Sequence, residues 1–347
     1  MNLRDHVAGF LARHQLERTV GIVAVSGGPD SVALAHLLVN CWRAGIVDRV
    51  MLAHIHHQLR GLESDEDEAF VHRLPTLWQE PRLIVHSTRI AVAEQAEAER
   101  ENLEAVARRE RYRWLGELAR AQGATWIATG HTADDQAETV LFRLLRGAGT
   151  LGLAGIPATR ALDGATIIRP LLDVRRSALL NYLKAEDIPY RVDSSNQNQK
   201  LTRNRIRHEL LPLLERDYNP AVVPILCQLA EQAREEHAQT RAAAERLLLA
   251  AERPRAGDML VLAVAPLQDA EPNLVREMFR LLWQREGWPL ADMDRPRWHW
   301  LVEIAQGSRP ACDLPGPVHA RRAGPVVQLR SGVRGLGSGV RSQESEG

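Results

Sequence analysis

The sequence is short of lysine, cysteine and long apolar runs. Lysine occurs only at Lys184 and Lys200, and every other basic residue is arginine. That favours guanidinium over ammonium contacts. Cys41, Cys227 and Cys312 are scattered, with no Cys-x-x-Cys pair, so no disulfide framework is expected. No apolar run is long enough for a transmembrane helix, and Met1-Asn-Leu-Arg-Asp-His6 lacks a signal-peptide layout. The expectation is a cytoplasmic protein with no membrane association. An excess of one charge is missing too: 44 basic residues meet 44 acidic ones, for a net charge of zero. Nucleic-acid binding would therefore need a local basic face. No internal repeat is evident. What remains is a chain of 347 residues, 45% hydrophobic and 25% charged, with room for two domains.

One stretch organises the rest. Val20 to Val25 is a short β-branched run that reads as a buried parallel strand. Val32 to Val39 is apolar with helical spacing. Between them stands Ser26-Gly27-Gly28-Pro29-Asp30-Ser31. The glycine pair allows a sharp turn and close approach to a ligand. Pro29 suits a first helical turn. Such a corner aims free N–H groups and the positive helix end at one spot, which makes an anion site. Ser26 and Ser31 add hydroxyls. Asp30 is out of place in a pure anion site, and a carboxylate beside phosphates points to a bridging Mg²⁺. A lone Gly-Gly would be an ordinary strand-turn-helix corner; the whole hexapeptide shifts the reading to phosphate. No Gly-Lys-Ser/Thr follows, so it is not a Walker A loop. It resembles the PP-loop of the ATP pyrophosphatases, Ser-Gly-Gly-x-Asp-Ser. Those enzymes cleave ATP between the α and β phosphates, adenylate a carbonyl oxygen and release pyrophosphate.

In chain order, residues 3–18 read as a helix and Val50 to His56 as a second strand, ending in His54-Ile-His-His-Gln-Leu-Arg60. The acidic run Glu63 to Glu68 opens a helix, and acids in a first turn are what the macrodipole favours, so helix capping accounts for them. Leu83 to Ser87 is a third strand, Asn102 to Arg120 a helix ended by Gly123, and Trp126 to Thr129 a fourth strand. Strands alternating with helices predict an α/β fold with a doubly wound parallel sheet. Ligands of such sheets sit at the carboxyl ends of the strands. The Ser26–Ser31 turn, His54 to His57 and Gly130-His131 all fall at such ends and converge on one crevice.

Asp134, Asp135 and Glu138 follow in the first turns of a helix, adjacent at i,i+3 and i,i+4. Capping explains acids there as well, but three carboxylates beside a histidine at a strand end exceed what capping requires. They suit Mg²⁺ or a cationic substrate. Gly147, Gly149, Gly152 and Gly155 make the next segment a flexible loop and a candidate lid. Arg169-Pro-Leu-Leu172 leads to a helix near Ser177 to Lys184. Leu201 to His208 is strongly basic, and a solvated helix face and a phosphate-contacting patch are equally supported there. Residues 225–252 read as a connecting helix, Asp258 to Ala263 as a strand, and Asn273 to Gly287 as an amphipathic helix. A helix through Trp298 to Ile304 and strands at Pro317 to Ala320 and Pro325 to Leu329 complete a small α+β domain. The expected organisation is a catalytic domain over 1–215, a connecting segment over 216–252, the α+β domain over 253–330, and a disordered tail over 331–347.

Taken together, the motifs resemble the tRNA(Ile)-lysidine synthetase family of the PP-loop superfamily, with its adenine nucleotide alpha hydrolase-like fold. The resemblance rests on Ser26 to Ser31, His54 to Arg60, Ala107-Arg-x-x-Arg-Tyr112 and Ala128 to Thr139. It continues through Arg143-Leu-Leu-Arg-Gly147, Arg169 to Leu172, Asp193-x-Ser-Asn196 and Arg203-Asn-x-Ile-Arg207. Residues 240–330 resemble the family's first C-terminal domain loosely, and the chain ends before the further domain of its longer members. The resemblance implies that ATP adenylates the C2 carbonyl oxygen of the wobble cytidine (position 34) of tRNA(Ile) with anticodon CAU. The ε-amine of free L-lysine then displaces AMP, giving lysidine, and the tRNA reads AUA and is charged with isoleucine. ATP and Mg²⁺ are the implied cofactors, and a homodimer is within the expectation. Ser26, Gly27, Gly28, Pro29, Asp30 and Ser31 would receive pyrophosphate, with Asp30 placing Mg²⁺. Ala53, His54, His56 and Gly130 would hold the nucleotide. Asp135 and Glu138 would bind the lysine ammonium and take its proton, with His131 as the alternative base. Arg108, Arg111 and Arg205 are candidates for phosphates of ATP or tRNA, and Asp134, Arg143, Arg146, Asn204 and Arg207 for further substrate contacts.

Three rival readings share the fold or the ligand. A 2-thiocytidine-type tRNA thiolase would have paired cysteines. A GMP synthetase-type amidotransferase would need a glutaminase unit, and no Cys/His nucleophile motif is evident. A non-catalytic tRNA-binding protein could keep ATP as a ligand only; Asp30 and the acids at 134, 135 and 138 speak against it.

Overall fold

The computed structural model describes residues 2–59, 61–192 and 202–332. Arg60, the Asp193-x-Ser-Asn196 motif and the tail beyond 332 lie outside the described residues. The chain divides into two compact units, Met1–Arg234 and Glu235–Gly347. The division falls inside one long helix, in the stretch read as a connecting segment.

The first unit begins with α1 (Leu3–Arg13), β1 (Val20–Ala24), α2 (Pro29–Arg43), β2 (Arg49–His56), α3 (Leu62–Leu77) and β3 (Ile84–Arg89). It continues with α4 (Val92–Glu99), α5 (Leu103–Gln122), β4 (Trp126–Ala128), α6 (Ala133–Leu145) and α7 (Thr150–Leu153). The hairpin β5 (Thr159–Leu162) and β6 (Ala165–Ile168) follows, then α8 (Arg176–Ala185) and α9 (Thr202–Arg205). A π-helical turn, Ile206–Leu210, leads into α10 (Leu211–Asp217). The long helix α11 (Val222–Ala251) runs into the second unit.

The strand order is β3-β2-β1-β4-β6-β5. All pairings are parallel except β5 against β6. Alternation along the strands sends successive side chains to opposite faces. Val23, Leu52 and Ala128 join the core built with α1, α2, α3 and α8. Their neighbours Ile22, Met51 and Ile127 pack on Leu115 and Ala119 of α5. Helices therefore cover both faces, as the alternation of strands and helices predicts. The chain winds outward from β1 to β3, then crosses back to β4. The switch point between β1 and β4 is where such sheets open a crevice.

Several elements escape the sequence reading. α4 and the short β5–β6 hairpin are not anticipated. The glycine-rich segment after α6 holds a short helix rather than open coil. Arg143 fastens it with 2.9 Å hydrogen bonds to the Gly152 and Gly155 carbonyls.

The second unit adds β7 (Glu252–Ala256), β8 (Met259–Ala263), α12 (Ala265–Gln268), α13 (Pro272–Glu286) and α14 (Arg295–Gln306). It closes with β9 (Ala311–Leu314), β10 (Val318–Ala323) and β11 (Val326–Ser331). Its sheet is antiparallel, ordered β7-β8-β11-β10-β9. Phe279, Leu282 and Trp283 of α13 and Leu301 of α14 are fully buried against the inward residues Leu262, Val327 and Leu329. Trp283 meets Trp288 and Trp298 edge-on, with ring centroids 4.6 and 5.6 Å apart. The single strand expected before α13 is β8, which lies between β7 and β11. β7 and β9 go unread because the first carries Pro254 at an edge and the second is only four residues long.

Candidate active site

At the carboxyl end of β1 the chain turns through Gly27, whose φ of +94° is a conformation that favours glycine. Gly28 caps α2 and Pro29 occupies its first turn. The Ser31 hydroxyl ties the turn together, accepting from the Ser26 N–H at 3.2 Å and donating to the Gly28 carbonyl at 3.0 Å. The Ser26 and Ser31 hydroxyls are 3.2 Å apart. Gly130, at the end of β4, packs directly on this turn. A Cβ there would sit 3.0 Å from backbone atoms of Asp30 and Ser31. The loop after β1 and the loop after β4 are thus pressed together across the switch point.

A cavity of about 810 Å³ opens at this end of the sheet. Of the residues singled out in the sequence, Ser26, Gly28, Pro29, Asp30, Ser31, Ala53, His54, His56, Arg111, Gly130, His131, Asp135 and Arg207 line it. Gly27 shapes the turn beneath. Its wall also includes Tyr112, Thr129, Arg176, Tyr190 and Arg191. A second cavity of about 330 Å³ is lined by Asp134, Glu138, Glu215, Leu211, Pro212 and Val223, and shares Arg176 and Arg207 with the first.

The three acids of α6 have different partners. Asp134 accepts the Arg176 backbone N–H at 2.7 Å and pairs with Arg175 at 3.0 Å. It acts as a cap for α8 supplied from another helix. Asp135 forms a capping box with Thr132, accepting from the Thr132 N–H at 2.9 Å and its hydroxyl at 3.0 Å. Its other oxygen accepts from Arg207 at 2.6 Å. Glu138 is 3% exposed and accepts from the same guanidinium at 2.5 Å. Arg207 therefore bridges Asp135 and Glu138. Burial pushes Glu138 up to about 7, against the pull of Arg207. Burial also lifts Asp30 to about 6, with Arg176 opposing at 3.6 Å. Asp30 Oδ1 is buried without a hydrogen-bond donor. A divalent cation there would supply what the protein does not, so the site fits Mg²⁺.

Burial lowers two of the site's histidines, His131 and His54. His131 lies well below its ordinary value, with Thr129 Oγ1 at 3.0 Å from Nδ1. His54 is also lowered and is fixed by the Val25 carbonyl at 2.8 Å from Nδ1. His56 lies 3.3 Å from Asp65 of α3.

Other expected residues stand outside both cavities. Arg108 lies over the Tyr112 ring at 5.2 Å, and exposed Arg146 over Phe142 at 4.3 Å. Arg143 fastens the α7 segment, and exposed Arg205 pairs with Glu209 one turn on. Asn204 is half-buried in α9. Arg176, which faces Asp30 and both cavities, carried no signal in the sequence: its position depends on Asp134, more than forty residues away.

Residues 3–214 match the family model of the PP-loop domain. A tRNA(Ile)-lysidine synthase of Symbiobacterium thermophilum is 45% identical over 68% of this chain and 48% of its own length. One from Solibacter usitatus is 38% identical over 90% of this chain and 67% of its own length. One from Geobacillus kaustophilus is 36% identical over 80% of this chain and 59% of its own length. The chain thus spans roughly half to two thirds of these relatives. Among solved structures, the U34-tRNA thiolase NcsA of Methanococcus maripaludis shares the fold, with a TM-score of 0.56 at 18% identity, over 67% of this chain and 78% of that one. With its strand–turn–helix loop, its sheet and these relatives, the chain belongs to the PP-loop family and, within it, to the tRNA(Ile)-lysidine synthases.

Proposed function

We propose that the protein ligates L-lysine to C2 of the wobble cytidine of tRNA(Ile) with anticodon CAU, at the expense of ATP. The observation that carries the reading is the convergence of the PP-loop, Asp30, His131 and the bridged acids Asp135 and Glu138 on adjoining cavities. In the first step the cytidine O2 attacks the α-phosphorus of ATP and pyrophosphate leaves. The Ser26–Ser31 turn and the first amides of α2 receive the departing phosphates. Mg²⁺ at Asp30 would neutralise their charge. The β2 end, Ala53 to His56, lies on the other side of β1 from β4 and takes the adenosine.

In the second step the lysine ε-amine attacks C2 and AMP leaves. Lysine arrives as an ammonium and must lose a proton. The second cavity joins apolar walls (Leu211, Pro212 and Val223) to Glu138, which suits four methylenes ending in a cation. The ammonium takes the place that Arg207 holds between Asp135 and Glu138. A Glu138 carboxylate with a value near 7 is matched to accept a proton at neutral pH. His131, held far below its ordinary value, is the weaker base. The released Arg207 guanidinium remains in the wall it shares with Asp30, where it can meet phosphate.

The test is incorporation of labelled lysine into a tRNA(Ile) transcript with anticodon CAU, with ATP and Mg²⁺. A transcript with uridine at the wobble position and tRNA(Met) are the controls. Incorporation into the CAU isoleucine transcript alone is expected. Splitting of ATP to AMP and pyrophosphate without lysine transfer would keep the PP-loop chemistry and reject lysine as the nucleophile.

A further inference from the structure

Four arginines of the first unit gather beside the active-site cavity with no carboxylate partner among the described residues. Arg169, immediately after β6, is 1% exposed. It donates to the Pro157 carbonyl at 2.7 Å with the Tyr112 hydroxyl close by, and its Nε is buried without an acceptor. The Tyr112 ring carries two more guanidinium groups, Arg160 of β5 at 4.3 Å and Arg108 of α5 at 5.2 Å. Arg143 of α6 has backbone carbonyls as its acceptors. Burial lowers both Arg169 and Arg143, and neighbouring arginines lower them further: Arg160 and Arg108 for the first, Arg203 and Arg108 for the second. A buried guanidinium is ordinarily matched by a carboxylate. A fold that buries one without such a partner, and sets further unpaired arginines beside it, holds a positive field that an anion can enter.

Strand order says which anion. Arg169 and Arg160 sit at the carboxyl end of the parallel sheet, because Thr159 pairs with Ile168. β6 and β5 are two and three strands from β1. At roughly 4.8 Å per strand, that is about 10 to 14 Å from the PP-loop, on the side away from β2. A nucleotide held from β2 to β1 leaves these arginines to a second anionic substrate. Exposed Arg108 and Arg160 make the group reachable by a large ligand. Free lysine has Arg176 beside its own cavity for its carboxylate.

We infer that Arg108, Arg160 and Arg169, assembled around Tyr112, seat a backbone phosphate of the single-stranded RNA next to the reacting base, with Arg143 adding to the positive field. This rests on the proposed RNA substrate and adds where the strand is gripped. Arg169 and Tyr112 position the seat, and Arg160 and Arg108 make its outer contacts.

The experiment measures binding of an anticodon stem-loop RNA with a CAU loop over a range of salt concentrations. The proteins are the wild type, Arg160→Gln, Arg108→Gln and Arg160→Lys. Each lost phosphate contact should lower the slope of log K against log salt by about 0.7 to 0.9 and weaken binding about 3- to 10-fold. Arg160→Lys should recover most of the slope. An unchanged slope and affinity in both glutamine variants, with wild-type lysine incorporation intact, would overturn the phosphate seat and leave the proposed reaction standing. A rise in the KM for lysine with RNA binding unmoved would overturn it in favour of the lysine carboxylate. Loss of slope in a protein whose wild type transfers no lysine would support the seat and reject the reaction.

Discussion

Two helices of the first unit open with clustered acids, and they use them differently. Along α3, Asp65 and Glu68 pair with Arg89 at 2.9 and 2.6 Å, and Glu66 and Asp67 pair with Arg191 at 2.6 and 3.0 Å. Arg89 and the Asp65 side chain are about half exposed. Glu68 is held below the usual carboxylate range by its hydrogen bonds to Arg89 and Ser87, which outweigh its burial. In α6, Glu138 is fully enclosed, and burial lifts it to about 7 even with a guanidinium on it. The residue types and the helix position are alike; what differs is whether burial or the guanidinium partner wins at the carboxylate, and burial wins at Glu138. Exposed ion pairs contribute little to stability, whereas burial has moved the Glu138 carboxyl to near the point of proton exchange at neutral pH.

This contrast can be broken most severely at Asp30, the other acid of the site that burial lifts. Asp30→Asn removes the carboxylate proposed to place Mg²⁺ beside the phosphates, and lysine incorporation should fall about a thousandfold, several kcal/mol of transition-state stabilisation. Stability should not fall, since the substitution removes a buried charge.

The next effect is on stability against pH. Glu138 has an ordinary value of 4.5 and a folded one of about 7. Between those values the folded protein keeps a proton that the unfolded chain has lost. Stability therefore falls as pH rises through that window, by on the order of 3 kcal/mol from this group. Denaturant melts at pH 5 and pH 8 should show that loss in the wild type and a flatter response in Glu138→Gln. Equal slopes would mean that Glu138 is ionised throughout.

A smaller effect is expected at Thr132, whose hydroxyl and N–H hold Asp135 in the capping box. Thr132→Ala should cost about 1 kcal/mol in thermal or denaturant unfolding and raise the KM for lysine, because Asp135 loses one of its anchors. The smallest belongs to α3. The double substitution Asp65→Asn with Glu68→Gln should leave lysine incorporation within about twofold and change stability by no more than about 1 kcal/mol. A larger loss of activity would give these α3 acids a part in the reaction as well.

How far this could be read in the sequence depends on distance along the chain. The PP-loop is six consecutive residues between a strand and a helix, so its turn, its cap and its place at a strand end were all legible. The acids of α6 were legible as a cluster, but not their division of labour. Asp134 is claimed by Arg175 and Arg176, and Asp135 and Glu138 by Arg207, from segments that local pattern does not connect. The arginine group around Tyr112 was hidden for the same reason. Arg108 comes from α5, Arg160 from β5 and Arg169 from the end of β6, and only the sheet order brings them together. The β5–β6 hairpin had too few residues to show an alternation, and missing it meant missing the edge of the site.

The most direct measurement separates the two chemical steps in Glu138→Gln. Pyrophosphate release is followed with ATP, Mg²⁺ and the CAU transcript, lysine omitted, and lysine transfer is followed in a parallel reaction. If Glu138 receives the ammonium and its proton, pyrophosphate release stays near the wild-type rate while transfer drops about a hundredfold or more. Equal loss of both steps, or transfer at the wild-type rate, would contradict that role.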